Sequence, residues 1–362
     1  MFIKGVNLGN WLVLEKWMNP VLFDGLEYRS TPLDDEYDLA HFAPESEKQN
    51  RLKAHREAYI TLDDFRCIKS WGMDSIRLPV PFFVFGDYPP YIGCIEYVDR
   101  AMDWAQVCGL SVLIDVHTAP DSQNGFDNGG TTGVCKWHLK PENISFSVSV
   151  LERLAQRYGK HKALYGVQFL NEPISNEVFA HTSKHYKPRD PAYGEGSCGV
   201  PLEVLFDFYT RSYNAIRRHM DADKAAVFHD GFRLKAWKDF MRGPEYKNVI
   251  LDTHLYPGMM PITDYVDPSR LYNAVLEKCM ADIREMNAFF PVIVGEWSLC
   301  HPEPMTQNQS PDSVSRLMRI LCDAQLYAWS AGSGWYFWSY KVPSGAPGWD
   351  ARTCVENKWL IV

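Results

Sequence analysis

Val292-Ile293-Val294-Gly295-Glu296-Trp297 is a short apolar run that closes on a glycine, a lone carboxylate and a tryptophan. Such a run is the pattern of a strand buried on both faces of a parallel sheet, and a charge at its end belongs at an opening rather than in a core. Gly166-Val167-Gln168-Phe169-Leu170-Asn171-Glu172-Pro173 ends the same way, on a glutamate followed by a proline that cannot continue a ladder. Two strand-end glutamates, 124 residues apart (296 − 172), predict a paired-carboxylate site assembled from distant parts of one sheet.

Working outward, apolar β-rich runs recur at 3–8, 74–80, 111–117, 164–171, 225–231, 249–256, 291–297 and 334–340. Segments with apolar residues at three- and four-residue steps lie between most of them: 61–71, 95–107, 144–158, 202–220, 269–288 and 312–331. Thr61 and Asp64 form a capping-box pattern ahead of Phe65 and Ile68. Eight strands alternating with helices and no mid-chain linker predict one domain over 1–362, an α/β protein of the (β/α)8 TIM-barrel class. In that class the segments after the strands, at their C-terminal face, build the site. Four are long, 9–60, 118–142, 174–201 and 298–311, and they are expected to wall a deep pocket.

Composition narrows the chemistry. The chain of 362 residues carries a formal charge of -8 with no basic block, which argues against nucleic acid or an anionic membrane as partner. No run approaches the ~20 apolar residues of a membrane span. Aromatic residues make up 14%, with 12 Trp and 19 Tyr, and aromatic faces stack on the apolar faces of sugar rings. The nine cysteines are odd in number, scattered and without a C-x-x-C, and Met1-Phe2-Ile3-Lys4-Gly5-Val6 leads straight into strand sequence without a signal-peptide pattern. The expectation is a cytoplasmic chain with reduced thiols, or a secreted one if a leader precedes this sequence.

Six strands end in polar or aromatic residues that an apolar core does not call for: Arg77, His117, Asn171 with Glu172, His254 with Tyr256, Glu296, and Trp338. Glycoside hydrolysis needs such a set, since a retaining enzyme uses two carboxyl groups roughly 5–5.5 Å apart, one as nucleophile and one as acid and then base. Strands four and seven place Glu172 as acid/base and Glu296 as nucleophile. Arg77 and the Tyr256 hydroxyl would favour ionised Glu296, Asn171 could hold a sugar 2-hydroxyl, and Trp338 offers a flat face beneath the ring. Trp297 is expected at the site because it adjoins the same chemistry. His181 and His185 lack a third ligand, so no metal and no cofactor is expected. Cys300-His301 reads as a buried thiol, and Trp137, Trp237, Trp349 and Trp359 as packing residues.

With these residues in place, the chain resembles glycoside hydrolase family 5, the cellulase-like retaining β-glycosidases, and most nearly its exo-β-1,3-glucanase branch. The matching motifs run nearly end to end: Lys4 to Glu15, Ile76 to Pro79, Asp121 to Asn128, Asn171 to Pro173, His229 to Phe232, His254 to Tyr256, Gly295 to Ser298 and Gly334 to Trp338. The resemblance implies that Arg77, His117, Asn171, Glu172, His254, Tyr256, Glu296 and Trp338 occupy the family's eight site positions. It implies further that Glu15, Asp127 and Asn128 hold the terminal sugar of an oligosaccharide, that Phe126 and Phe232 flank the next one, and that action is exo. Asn10 departs from the pattern, standing where those glucanases have a glycine, and the segments 134–142 and 174–201 match nothing in it. An exo-β-mannosidase cutting short β-mannosides, such as mannose β-linked to N-acetylglucosamine, is the alternative within enzymes. A silent carbohydrate-binding barrel is the alternative outside them, and the two intact carboxylates speak against it.

Overall fold

In the computed structural model, residues 2–259, 268–301 and 303–362 are described; Met1 of the N-terminal run and Pro302 of the 298–311 segment lie outside them. The eight expected strands are β1 (Ile3–Asn7), β2 (Ser75–Val80), β3 (Ser111–Val116), β4 (Leu164–Gln168), β5 (Ala225–His229), β6 (Val249–His254), β7 (Val292–Trp297) and β8 (Gly334–Phe337). They pair in parallel and in sequence, with β1 closing against both β2 and β8, so the sheet is a complete barrel without edges. Ile3, Leu113, Ala225, Val227, Ile250, Ile293 and Tyr336 fill its inside. A larger apolar layer between strands and helices includes Val6, Ile76, Val112, Val167, Leu251 and Val294.

The helices form where the apolar spacing predicts them, as at Leu62–Ser70, Ile95–Cys108, Pro141–Tyr158, Leu202–Arg217 and Pro311–Trp329. The Asp64 carboxylate accepts from the Thr61 amide at 2.7 Å and from its hydroxyl at 2.9 Å, closing the start of the first of these. The helix expected at 269–288 is interrupted by a π-helical stretch at Ala274–Cys279. The post-strand segments hold more structure than expected. Residues 9–60 contain a two-stranded hairpin (Glu27–Tyr28 with Thr31–Pro32) and helices Glu36–Phe42 and Glu45–Ala58, and 174–201 contains Asn176–Thr182. The second of these helices, ESEKQNRLKAHREA, is polar on nearly every side, so it shows no apolar stripe to read.

One local irregularity decides where the site forms. Thr253 pairs with Val294 but His254 pairs with Glu296, and Trp335 pairs with Val294 but Phe337 with Trp297, so β7 carries one extra residue against both neighbours. A bulge of that kind re-aims the side chain that follows it. Gly295 is required there, because a Cβ would lie 2.3 Å from both oxygens of Asp252, which accepts the Gly295 amide at 2.7 Å.

Candidate active site

At the C-terminal end of the barrel, Arg77 is fully buried and uses every donor of its guanidinium. Nε bonds Gln168 Oε1 (2.9 Å), Nη1 bonds Asn7 Oδ1 (2.9 Å) and Glu296 Oε1 (2.7 Å), and Nη2 reaches Asn171 Oδ1 (2.7 Å) and Asp115 Oδ2 (3.1 Å). A guanidinium with five fixed donors cannot rotate, so Glu296 and Asn171 inherit its orientation. The other oxygen of Glu296 accepts from the Tyr256 hydroxyl at 2.8 Å. Asn171 has its carbonyl oxygen committed to Arg77, and its amide nitrogen lies 3.4 Å from His117 Nε2. His117 in turn is held by Asp115 at 2.5 Å and lies parallel to the Trp338 ring, 5.6 Å between centroids.

Glu172 directly follows Asn171 at a φ of +44°, a region sparsely used by residues other than glycine. This turn presents its carboxylate inward. Oε1 bonds His254 Nδ1 at 2.7 Å, and Oε2 accepts from Asn128 Nδ2 at 3.0 Å. The same His254 nitrogen stands 3.5 Å from Glu296 Oε2. The two facing oxygens, Glu172 Oε1 and Glu296 Oε2, are therefore no further apart than these 2.7 and 3.5 Å legs laid end to end, so both carboxylates border one space.

The charges in this cluster are coupled through His254. Burial works against an imidazolium, but the charges of Glu296 and Asp252 and the bonds to Asp252 and Glu172 raise His254 well above its usual value. Burial raises Glu172, yet the His254 hydrogen bond and charge outweigh it and hold the group below the usual carboxylate value. Burial keeps Glu296 raised against the charges of His254 and Arg77, and the neighbouring charge of Glu172 adds to the rise. The opposite directions of these two shifts favour a proton on His254 over one on Glu172, across the 2.7 Å hydrogen bond between them.

The walls come from the post-strand segments. The Glu15 carboxylate accepts from Trp17 Nε1 at 2.8 Å, and its Oε1 is buried without a partner among the described residues. Burial first, then the charge of Asp127, raises Glu15 well above the usual value. Asp127 is pushed up to about 6, mainly by burial, and Glu172 is among the charges that add to the rise. Asn10, the departure from the family pattern, sits at φ +60°, where asparagine is tolerated, and its Oδ1 accepts the Glu15 amide at 2.8 Å. The substitution thus keeps the turn and fixes the backbone of Glu15. Phe126 is half-exposed and Phe232, at φ +58°, is exposed.

One expectation needs correction. Trp297 is fully buried and packs on Trp329, Trp335 and Phe337, with centroids 5.0–6.4 Å apart. Adjacent strand residues face opposite sides, so with Glu296 aimed into the mouth Trp297 must point to the helix layer. Trp349 packs as expected, half-buried against the Met18, Trp338 and Val342 cluster and between Trp17 (5.3 Å) and Tyr256 (5.1 Å). Trp137 and Trp237 are core residues as expected. Cys300 is buried and pushed up to about 12 by that burial, while His301 bonds Leu299 and Thr306 rather than the thiol. All nine cysteines are free.

Sequence reasoning missed a set of residues behind the site. Asn7, Asp115, Gln168 and Asp252 are fully buried polar residues on four different strands. Asp252 alone accepts from Gln168 Nε2 (2.8 Å), His254 Nε2 (3.2 Å) and the Gly295 amide. The available signal was a polar residue inside an otherwise apolar strand, as in Val249-Ile250-Leu251-Asp252. Tyr186 was also missed and stands against Phe126. One metal-type grouping exists among the described residues: Glu172, His229 and His254 have ligand atoms within 4.8 Å of one another. Both ring nitrogens of His254 already face carboxylate oxygens, Nδ1 that of Glu172 and Nε2 that of Asp252.

The model of the cellulases, glycosyl hydrolase family 5, matches residues 43–342. The chain belongs to that family. This member is therefore a glycoside hydrolase. It is 30% identical over 401 residues to the probable glucan 1,3-beta-glucosidase A of Aspergillus terreus, covering 98% of this chain and 86% of that protein. It is 26% identical to glucan 1,3-beta-glucosidase 1 of Schizosaccharomyces pombe, again over 98% of this chain and 86% of that protein. The same barrel occurs in the rutinosidase from Aspergillus niger (TM-score 0.78, 21% identity, 99% of this chain and 97% of that one). It occurs also in endoglucanase Cel5A from Thermotoga maritima (TM-score 0.56, 14% identity, the same coverage).

Proposed function

We propose that this family 5 member releases a terminal glucose from β-linked glucosides, in the manner of an exo-β-1,3-glucanase, by double displacement at Glu296 with Glu172 as acid and base. The observation that carries the reading is His254 Nδ1 standing 2.7 Å from one carboxylate and 3.5 Å from the other. Its glucose and exo components are supported by the glucan 1,3-beta-glucosidase relatives and by Glu15 and Asp127 standing in the walls. The mannoside alternative has no such support.

In the first step Glu296 forms a bond to the anomeric carbon as the bond from that carbon to the leaving oxygen breaks. The proton passes from His254 through Glu172 to the leaving oxygen. While Glu296 is ionised, its charge favours keeping a proton near Glu172. Once Glu296 is esterified that charge is gone, and Glu172 becomes a base that takes a proton from water. The water oxygen then bonds to the anomeric carbon and Glu296 departs as a carboxylate. Arg77 and Tyr256 hold Glu296 in line, and the Asn171 amide nitrogen is the donor left for the sugar 2-hydroxyl. Trp338 lies beneath the ring, Glu15, Asp127 and Asn128 take its distal hydroxyls, and Phe126 and Phe232 flank the next ring.

The test is a panel of aryl β-glucoside, β-mannoside and β-galactoside with β-1,3- and β-1,4-linked gluco-oligosaccharides, product sizes resolved. One glucose released per event, with retained anomeric configuration, is the expected outcome. Turnover of the mannoside without the glucoside overturns the sugar assignment, and mid-chain cuts overturn the exo assignment.

A further inference from the structure

Tyr186 lies in the 174–201 segment, which has no counterpart in the family's motifs, yet its ring meets that of Phe126. Its centroid is 5.3 Å from that of Phe126, the rings tilted by 38°. Burial, then the carboxylates of Asp127, Glu15 and Glu172, raise its phenol far above the usual value, so all three lie within electrostatic reach of it. The hydroxyl nevertheless has no hydrogen-bond partner among the described residues. The segment is pinned rather than loose. Arg189 Nε bonds Asp38 Oδ2 at 2.6 Å, the Tyr193 hydroxyl donates to Asp121 Oδ1 at 2.5 Å, and the Cys198 amide donates to the Cys135 carbonyl at 3.1 Å. Tyr186 also lines a groove of 590 Å³ with Phe179, Lys187 and Glu195.

We propose that Tyr186 is a specificity-determining residue: with Phe126 it forms one wall of the subsite for the leaving-group sugar, and its hydroxyl bonds a hydroxyl of that ring. A pyranose presents C–H bonds on its face and hydroxyls at its edge, which is what an aromatic face with an unpartnered phenol at its tip matches. The placement on the leaving-group side follows from the ring contact with Phe126, the residue assigned to the sugar next to the terminal one. The inference rests on the glucoside reading above.

The test compares wild type, Tyr186→Phe and Tyr186→Ala on β-glucosyl fluoride, whose leaving group has no ring, on phenyl β-glucoside, and on a β-1,3-linked glucose disaccharide. The expected result is that the kcat/KM ratio of disaccharide to fluoride falls about tenfold in Tyr186→Ala, mostly through KM, as loss of one aromatic contact implies. Tyr186→Phe lowers that ratio several-fold but leaves the ratio of phenyl glucoside to fluoride near wild type. Equal losses on all three substrates in Tyr186→Ala, or an unchanged disaccharide ratio, overturn the proposal. Wild-type inactivity on all three is a different result: it removes the glucoside reading and this assignment with it.

Discussion

Arg77, at the floor of the mouth, has no exposed surface and all five of its donors engaged, whereas Phe126, Asp127 and Tyr186 in the walls are half-exposed, and Glu15 and Tyr186 keep polar atoms without partners among the described residues. The floor is carried by strands whose register is fixed on both sides. The walls are carried by segments that hold one another through Arg189 and Asp38, Tyr193 and Asp121, and Thr132 and Asp35. The difference separates two tasks. On the proposed reading, a buried, fully bonded network fixes the geometry of bond breaking, and the wall groups without partners are the ones for sugar hydroxyls.

Substitution in the floor is expected to be the most damaging. Glu296→Ala and Glu172→Ala should each lower kcat/KM on disaccharide on the order of 10⁴-fold. With a leaving group acidic enough to depart unprotonated, such as dinitrophenol, the first step should largely survive in Glu172→Ala but not in Glu296→Ala. Equal losses in both would break the division of roles between β4 and β7.

A wall residue should act on binding instead. Asp127 is raised to about 6, so it is a carboxylate acceptor above that pH and a neutral acid below it. KM should rise several-fold as pH falls through about 6, and Asp127→Asn should show a raised KM with that pH dependence removed. A kcat effect of the same size would place Asp127 with the floor.

Behind the walls, Glu36 is buried and raised to about 8, mainly by burial and against the charge of Arg56. Its pKa in the unfolded chain is about 4.5, so the native state holds a proton between these values and stability declines as pH rises from roughly 4.5 to 8. Glu36→Gln should remove that slope, giving a Tm gain of a few degrees at pH 8 and little at pH 4.5 by thermal melts, with the kinetics unmoved. A change in kinetics would show that this layer reaches the site.

All eight strands were legible because a strand buried on both faces must be apolar along its length, and their ends were legible because charge has no place in such a run. Glu172, Glu296, Arg77, His117, His254 and Tyr256 were found that way. Trp297 was misread for the complementary reason, since neighbours in sequence face opposite sides of a strand. Helix Glu45–Ala58 escaped notice because its polar surface carries no period, and the 36–42 helix is too short to show one.

By itself the sequence determined the order of strands and helices, the pair of strand-end glutamates and the family. Only the tertiary structure decided which side chains meet, because those meetings join residues 70 to 219 positions apart and depend on closure and register: Arg77 with Asn7 and Glu296. The bulge at Gly295, the hold of Asp252 on its amide, and the reach of Tyr186 to Phe126 follow from how strands and segments pack, and no local pattern in the chain encodes that packing.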